Sequence, residues 1–210
     1  MDRVRIATFE KAMLKVDEVS LACDTDPAHS EQVTCLALAV FDALKPLHNF
    51  GTPERQILEI ASRLHDIGWS RTVLKKHHKL SGNMILELEI PGLDNHDKMA
   101  CALIARYHTK ALPNASKHQK FADLGTKRRN LVEWLAAILR VADALDSNHT
   151  SIIRKLKLQI NDKTVIINLD TKGDCWDEIR RYAEKKTSWL KKQADQWCIN
   201  ADCIYFRYTR

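Results

Sequence analysis

Leu64-His65-Asp66-Ile67-Gly68 sets a histidine beside an aspartate at the point where an apolar helix ends. Gly68 is expected just past that helix, in the left-handed conformation that ends many helices. A buried carboxylate and a buried imidazole are costly unless both are satisfied, and one divalent cation would satisfy both. The apolar residues before the pair recur at spacings of three and four, which predicts a packed amphipathic helix: Ile57, Leu58, Ile60, Ala61 and Leu64.

Amphipathic helices are predicted on both sides of this stretch. Upstream, apolar periodicity covers residues 4–22 and 29–44, and Asp24-Thr25-Asp26-Pro27 separates the two helices. Downstream, helices are predicted after His77 and across Met99–His108, with a cap within Asn95-His96-Asp97. Residues 45–53 and 110–130 are predicted to be a loop and a surface excursion, and the last core helix spans 131–145.

The pattern changes after about Ser151, where apolar residues begin to alternate with polar ones. Two alternating runs around Asn161-Asp162-Lys163 predict a β-hairpin. Residues 174–195 have helical periodicity, and residues 198–208 alternate again as a third strand. The predicted fold is therefore mainly α, with an all-helical bundle over residues 1–152 and a small ββαβ appendage over residues 153–210.

Composition limits the class of protein. The 210 residues are 45% hydrophobic and 29% charged, which is ordinary for a globular chain. No apolar run approaches the roughly 20 residues that cross a bilayer, and the start lacks a signal-peptide block, so we expect a cytoplasmic protein without a membrane partner. The six cysteines form no CxxC pair and are expected to be reduced.

The net charge of +6 favours anionic partners such as phosphoesters, polyphosphate or nucleic acid. A solvated surface is the alternative explanation for each basic cluster. No zinc-finger or RNA-recognition signature occurs, so sequence-specific nucleic-acid binding is not expected. The basic clusters are Lys75-Lys76-Lys79, Lys117-Lys120 and Lys127-Arg128-Arg129.

Six candidate metal ligands lie at helix ends or on apolar helical faces. A lone histidine on a core face is more often a hydrogen-bonded structural residue than a ligand. Asp143 is harder to explain, because a carboxylate between Leu139 and Leu145 needs a cation or several donors. Arg140, three residues away, is an alternative partner for it. The six candidates are His29, His65, Asp66, His78, His108 and Asp143.

The order His…His-Asp…Asp resembles the HD superfamily of metal-dependent phosphohydrolases, which has an all-helical fold. The resemblance implies that one divalent metal is bound by the first histidine, the His-Asp pair and the last aspartate. Members with further histidines between the pair and the last aspartate hold a second metal, and His78 and His108 stand at those positions. His77 replaces His78 if the alignment shifts by one residue. The first four implied ligands are His29, His65, Asp66 and Asp143.

Longer blocks resemble the C-terminal half of the exopolyphosphatase and guanosine pentaphosphate phosphohydrolase family. They are His65–Gly68, His77–Ser81, Pro91-Gly92, Leu103–Lys110 and Leu139–Asp146. Leu80 departs from the family pattern, which has a histidine in that block. The family's actin-like N-terminal half, which carries its phosphatase site, does not occur in these residues. The resemblance therefore implies the metal-site chemistry but not activity on polyphosphate.

These features favour a metal-dependent phosphohydrolase acting on a phosphoester, nucleotide or polyphosphate-like anion, with Asp66, His78 and His108 as catalytic residues. Nitrogen and carboxylate ligands suit one or two ions of Mn, Fe, Co, Ni or Zn. The alternative is a non-catalytic polyphosphate- or nucleotide-binding regulatory module, and a homodimer is left open. Asp146 and His149 are further candidates for supporting or substrate groups. The candidate substrate-binding residues, which surface positions would explain equally well, are Lys79, Arg106, Lys110 and Arg140.

Overall fold

Helices make up most of the chain in the computed structural model, which describes residues 3–72, 76–109, 111–161, 164–173 and 203–209. The mainly α prediction is confirmed. Within the described residues the α-helices are α1 (Arg3–Cys23), α2 (Pro27–Ala43), α3 (Lys45–His48), α4 (Thr52–Arg63), α5 (His77–Glu87), α6 (Asn95–Arg106), α7 (Gln119–Ala122) and α8 (Thr126–Leu145), with a 3₁₀ helix at Ile67–Arg71. None of these helices has the length and apolar character needed to cross a bilayer.

Helix α8 forms the centre of the bundle, where it contacts α2, α4 and α6. Its side chains are buried almost continuously from Leu131 to Ala142, so it is covered on every side rather than along one stripe. Two single-turn helices, α3 and α7, occur where a loop and a surface excursion were predicted. Four residues are too few to show helical periodicity, which is why the sequence did not indicate them.

Capping residues fix where the helices near the candidate site begin. Asp26 caps α2 by accepting a hydrogen bond from the backbone N–H of His29 at 3.1 Å, and Pro27 occupies the first turn. Asp94 caps α6 by accepting from the N–H of Asp97 at 2.7 Å, so the cap lies one residue before the predicted segment. Each cap satisfies a backbone donor that the helix itself leaves unpaired.

Gly68 has a different role from the predicted one. Helix α4 ends at Arg63, and the only described glycine with positive φ is Gly92, so Gly68 is not a left-handed helix terminus. Instead it lets the 3₁₀ helix approach the start of α5. A Cβ at this position would lie 2.2 Å from the carbonyl oxygen of His77, and the Gly68 N–H donates to Ser81 Oγ at 2.9 Å.

A three-stranded sheet follows the helices, with strands β1 (Ile153–Asn161), β2 (Thr164–Thr171) and β3 (Cys203–Thr209) in the order β1-β2-β3. The predicted hairpin is confirmed, with β1 and β2 antiparallel and Leu158 opposite Ile167. Strand β3 pairs parallel to β2. The helix predicted over residues 174–195 lies outside the described residues.

The sheet is attached to the bundle through α2 and β1. Gln32 Nε2 donates to the carbonyl oxygen of Ile153 at 2.7 Å, and the side chains of Ile153, Ile167 and Leu169 are buried in the same core as the helices. The division at residue 152 into two domains stays a prediction. What matters for the site is that β1 begins beside the first turn of α2, which carries His29.

Candidate metal centre

Five of the six candidate ligands come from the ends of four helices, which converge on one point. His29 lies in the first turn of α2, His65 and Asp66 follow α4, and His108 follows α6. Asp143 lies in the last turn of α8. The first four residues are buried, whereas the Asp143 side chain keeps 22% of its surface exposed. The cluster is thus enclosed on most sides and open beside Asp143.

Asp66 stands at the middle of the cluster. Its Oδ2 is 3.6 Å from His65 Nε2, and its Oδ1 is 3.4 Å from His108 Nε2. On the far side, His29 Nε2 is 3.7 Å from Asp143 Oδ1. Five residues from four separate parts of the sequence therefore direct ring nitrogens and carboxylate oxygens into a common space.

Each buried histidine is oriented by a hydrogen bond on its other ring nitrogen. His65 Nδ1 donates to the Ser62 carbonyl at 2.7 Å, and His108 Nδ1 donates to the Ala105 carbonyl at 2.5 Å. His29 Nδ1 donates to Asp146 Oδ2 at 2.8 Å. In a neutral imidazole with Nδ1 protonated, Nε2 carries a lone pair, so these bonds turn acceptor atoms towards Asp66. This is the arrangement in which histidines bind metals.

The arrangement leaves buried acceptors facing one another. Among the described residues, three buried atoms of the cluster have no hydrogen-bond partner: His29 Nε2, His65 Nε2 and Asp66 Oδ1. Acceptors in a dry interior are costly unless a proton or cation lies between them. Ligands about 2.1 Å from one ion lie roughly 3.0–4.2 Å from each other, which matches the separations above.

Within the described part of the chain, three sets of ligand atoms are close enough to hold an ion, each with its atoms within 4.8 Å of one another. Several residues belong to more than one set, so one or two ions fit the same space. Imidazole nitrogen with carboxylate oxygen suits Mn, Fe, Co, Ni or Zn. The sets are His29, His65 and Asp66; His65, His108 and Asp143; and Asp66, His77 and His108.

The pKa shifts favour the metal-binding forms of His108 and Asp66 and the protonated form of His29. Burial lowers the pKa of His108 to about 3, so this imidazole is neutral near pH 7. Burial raises the pKa of Asp66, but the imidazoles of His65 and His108 outweigh it, and the net pKa is lowered. Burial also lowers the pKa of His29, but Asp143 and Asp146 raise it to about 10. A proton and a cation therefore compete for His29 Nε2.

His77 and His78 differ in their placement. His77 Nε2 lies 3.3 Å from Asp66 Oδ1 and 3.2 Å from His108 Nε2. The His78 ring centroid is 6.4 Å from that of His108, and no described ligand set includes His78. Burial, then His77 and nearby cations, lower the pKa of His78 to about 4. The geometry favours His77, the alternative of the two histidines, over His78.

The predicted substrate-binding residues do not surround the cluster. Lys79 is exposed and Arg106 is half-buried. Arg140 is buried, and its Nη1 donates to the Tyr107 carbonyl at 3.0 Å instead of reaching into the cleft beside the cluster. None of these three lines that cleft in the described part of the chain, and Lys110 lies outside the described residues.

The cleft beside the cluster has a volume of about 590 Å³. Its described walls include Asp66, His77, His108 and Asp143 together with Trp69 and His149. Because the candidate metal ligands Asp66, His77, His108 and Asp143 line the cleft, a molecule in the cleft would contact an ion bound by them.

Two supporting residues near the cleft, Trp69 and Asp26, differ in whether the sequence indicates their role. The Trp69 ring stacks on His77 with centroids 4.0 Å apart, and nothing in the sequence indicates that contact. Asp26 accepts from His149 Nδ1 at 2.8 Å as well as capping α2. Asp26 directly before Pro27 is the usual signal for a cap, but it does not reveal the bond to His149.

The bundle and its histidine–aspartate cluster define a mainly α protein with a candidate divalent-metal centre. The family described as Ppx/GppA phosphatase, domain III, matches residues 13–193. The chain belongs to this family, which confirms the resemblance drawn from the sequence blocks. A comparison with curated proteins finds no match.

Proposed function

We propose that the chain is a metal-dependent phosphohydrolase that cleaves a phosphoester, nucleotide or polyphosphate-like anion. One observation carries the proposal: ring nitrogens of three oriented, buried histidines converge on the carboxylate of Asp66. A cluster serving only stability would not gather buried ring nitrogens and carboxylate oxygens while leaving His29 Nε2, His65 Nε2 and Asp66 Oδ1 without a hydrogen-bond partner. Membership of a phosphatase family supports the same chemistry without specifying the substrate.

Two overlapping ligand sets would hold the ions, with Asp66 in both. One set is His29, His65, Asp66 and Asp143, and the other is Asp66, His77 and His108. When bound, a divalent cation supplies Lewis-acid chemistry, because it polarises a phosphoryl oxygen and acidifies water. The protein's own contribution is to fix the ligands, which the Nδ1 hydrogen bonds of three histidines and the stacking of Trp69 on His77 achieve.

The cleft supplies the substrate side of the proposal. Asp143 is the most exposed carboxylate of the cluster, and His77 lines the same cleft, so a phosphate would enter between them. The buried walls on the other side exclude bulk water and strengthen electrostatic interactions with the phosphate.

A second function, anion binding without catalysis, is favoured by a different group of residues. Lys79, Arg106 and Lys117 lie around His118, and burial followed by these cations lowers the His118 pKa. Lys79 and Arg106 act in the same direction on His78. A local excess of positive charge is suited to an anionic chain lying outside the cleft.

Hydrolysis of a phosphoester panel with added Mn²⁺, Co²⁺ or Ni²⁺ distinguishes the two functions. We expect the wild type to release phosphate, His77→Ala to lose most of this turnover, and the neighbouring His78→Ala control to retain it. Equal losses in both variants would contradict the assignment of His77. Tight polyphosphate binding without turnover of any ester would instead establish the second function.

A further inference from the structure

The link between α8 and β1, residues 146–152, lies against the first turn of α2. His149 and Ser151 have φ angles of 54° and 47°, which non-glycine residues rarely adopt. This left-handed conformation is strained in residues other than glycine, so other contacts must hold the link in this shape. The side chains of the link contact the part of α2 that carries His29.

Asp146 makes the central contacts of the link. Its side chain is 2% exposed. Oδ2 accepts from His29 Nδ1 at 2.8 Å, and Oδ1 accepts from the backbone N–H of Ser151 at 2.8 Å. One buried carboxylate thus orients a candidate ligand with one oxygen and fixes a strained backbone position with the other.

Three further contacts join the same regions. The His149 ring stacks on the His29 ring with centroids 3.9 Å apart, and His149 Nδ1 donates to Asp26 Oδ2 at 2.8 Å. One helical turn after His29, Gln32 donates to the carbonyl oxygen of Ile153, the first residue of β1. Strand β1 therefore cannot separate from α2 without disturbing the surroundings of His29.

We propose that Asp146 is a positioning residue that couples cation binding at His29 to the attachment of the C-terminal sheet. A cation on Nε2 makes Nδ1–H a stronger donor, which strengthens the bond to Asp146 and through it the hold on Ser151. Coupling between two sites is reciprocal, so loosening β1 weakens cation binding by the same factor. The inference rests on the proposed cation site.

Hydrogen exchange of the 210-residue chain, with and without Mn²⁺, tests the coupling directly. We expect Mn²⁺ to slow exchange of backbone amides in residues 146–158 by about tenfold, within the usual range for coupled sites. Peptides from α1 are the reference and should change less. Equal slowing in α1 and in 146–158 would indicate only global stabilisation and would overturn the inference.

Two variants test the reciprocal effect through the Mn²⁺ affinity measured by calorimetry. Asp146→Asn cannot accept both hydrogen bonds, and we expect it to weaken binding by about 10- to 100-fold. Gln32→Met removes the donor to Ile153 without touching a candidate ligand, and we expect about fivefold weaker binding. Gln159→Met, the same substitution at an exposed position of β1, is the matched control and should bind as the wild type.

The outcomes separate this inference from the proposed function. If the wild type binds no Mn²⁺, the cation site itself is wrong and the coupling is wrong with it. If the wild type binds Mn²⁺ but Gln32→Met and Asp146→Asn bind it equally well, the site stands and the coupling is refuted. Because Gln32→Met is mild, it decides the question even if Asp146→Asn fails to fold.

Discussion

Gly68→Ala is the substitution whose cost follows most directly from the structure. The added Cβ would lie 2.2 Å from the carbonyl oxygen of His77 and 2.7 Å from the backbone nitrogen of Ser81. A relaxed carbon–oxygen contact is about 3.2 Å, so the start of α5 must move by about 1 Å. Both neighbours are backbone atoms, so no side-chain rotation relieves the clash.

Overpacking of this kind costs about 1–3 kcal/mol, and weakening the hydrogen bond from Gly68 to Ser81 adds about 0.5–1.5 kcal/mol. We therefore expect the free energy of unfolding to fall by roughly 2–4 kcal/mol, which lowers Tm by roughly 5–15 °C in a chain of this size. Urea unfolding and calorimetry measure both quantities. Because His77 moves with α5, Mn²⁺ affinity should fall as well.

Gly173→Ala is the matched control for this experiment. Among the described residues, a Cβ at Gly173 meets only Ile152 Cδ1, at an ordinary 3.5 Å, so the free energy of unfolding should change by less than about 1 kcal/mol. If Gly68→Ala is as stable as this control, the close approach between the 3₁₀ helix and α5 is refuted.

Two further predictions concern stability away from the cluster. Burial lowers the pKa of His48, whose Nε2 donates to the Phe41 carbonyl. The neutral ring therefore stabilises the folded state fully above pH 6.5, and this contribution to the free energy of unfolding is lost as the pH falls below 6.5. The destabilisation by His48→Gln should therefore shrink between pH 7.5 and about 5 in urea titrations, and a constant difference would refute this. Asp94→Ala removes the α6 cap and should lower the free energy of unfolding by about 1 kcal/mol. Glu89→Ala, at an exposed position, is the control and should change this free energy by less than about 0.5 kcal/mol. Equal effects of the two substitutions would contradict the capping role of Asp94.

The apolar periodicity and the residues typical of helix starts and turns predicted the helices and the hairpin well, because those signals are local. Pro27 indicated the start of α2, and Asp66 was expected to follow an apolar helix. The inward face of α8 also indicated that Asp143 comes near the other candidates. In these cases one element determines the placement, so its own sequence is sufficient.

Features that depend on two elements were not predictable in the same way. The choice between His77 and His78 depends on how α5 is rotated, and this is fixed by the packing of its residues His77 and Ser81 against Gly68. The closeness of Gly68 to α5 is likewise a tertiary contact, so its sequence position suggested a helix terminus instead. Arg140 was expected at the substrate, but its bond to the Tyr107 carbonyl joins α8 to the end of α6.

The metal content of purified wild-type and Asp66→Ala chains, measured by elemental analysis after loading with Mn²⁺ and removal of free ion, tests the central claim most directly. The wild type should retain one or two ions per chain. Asp66→Ala should retain far less than one ion per chain, because the Asp66 carboxylate belongs to both proposed ion sites, while its circular dichroism stays helical. Stoichiometric metal in Asp66→Ala, or none in the wild type, would contradict the assignment of this cluster as a metal centre.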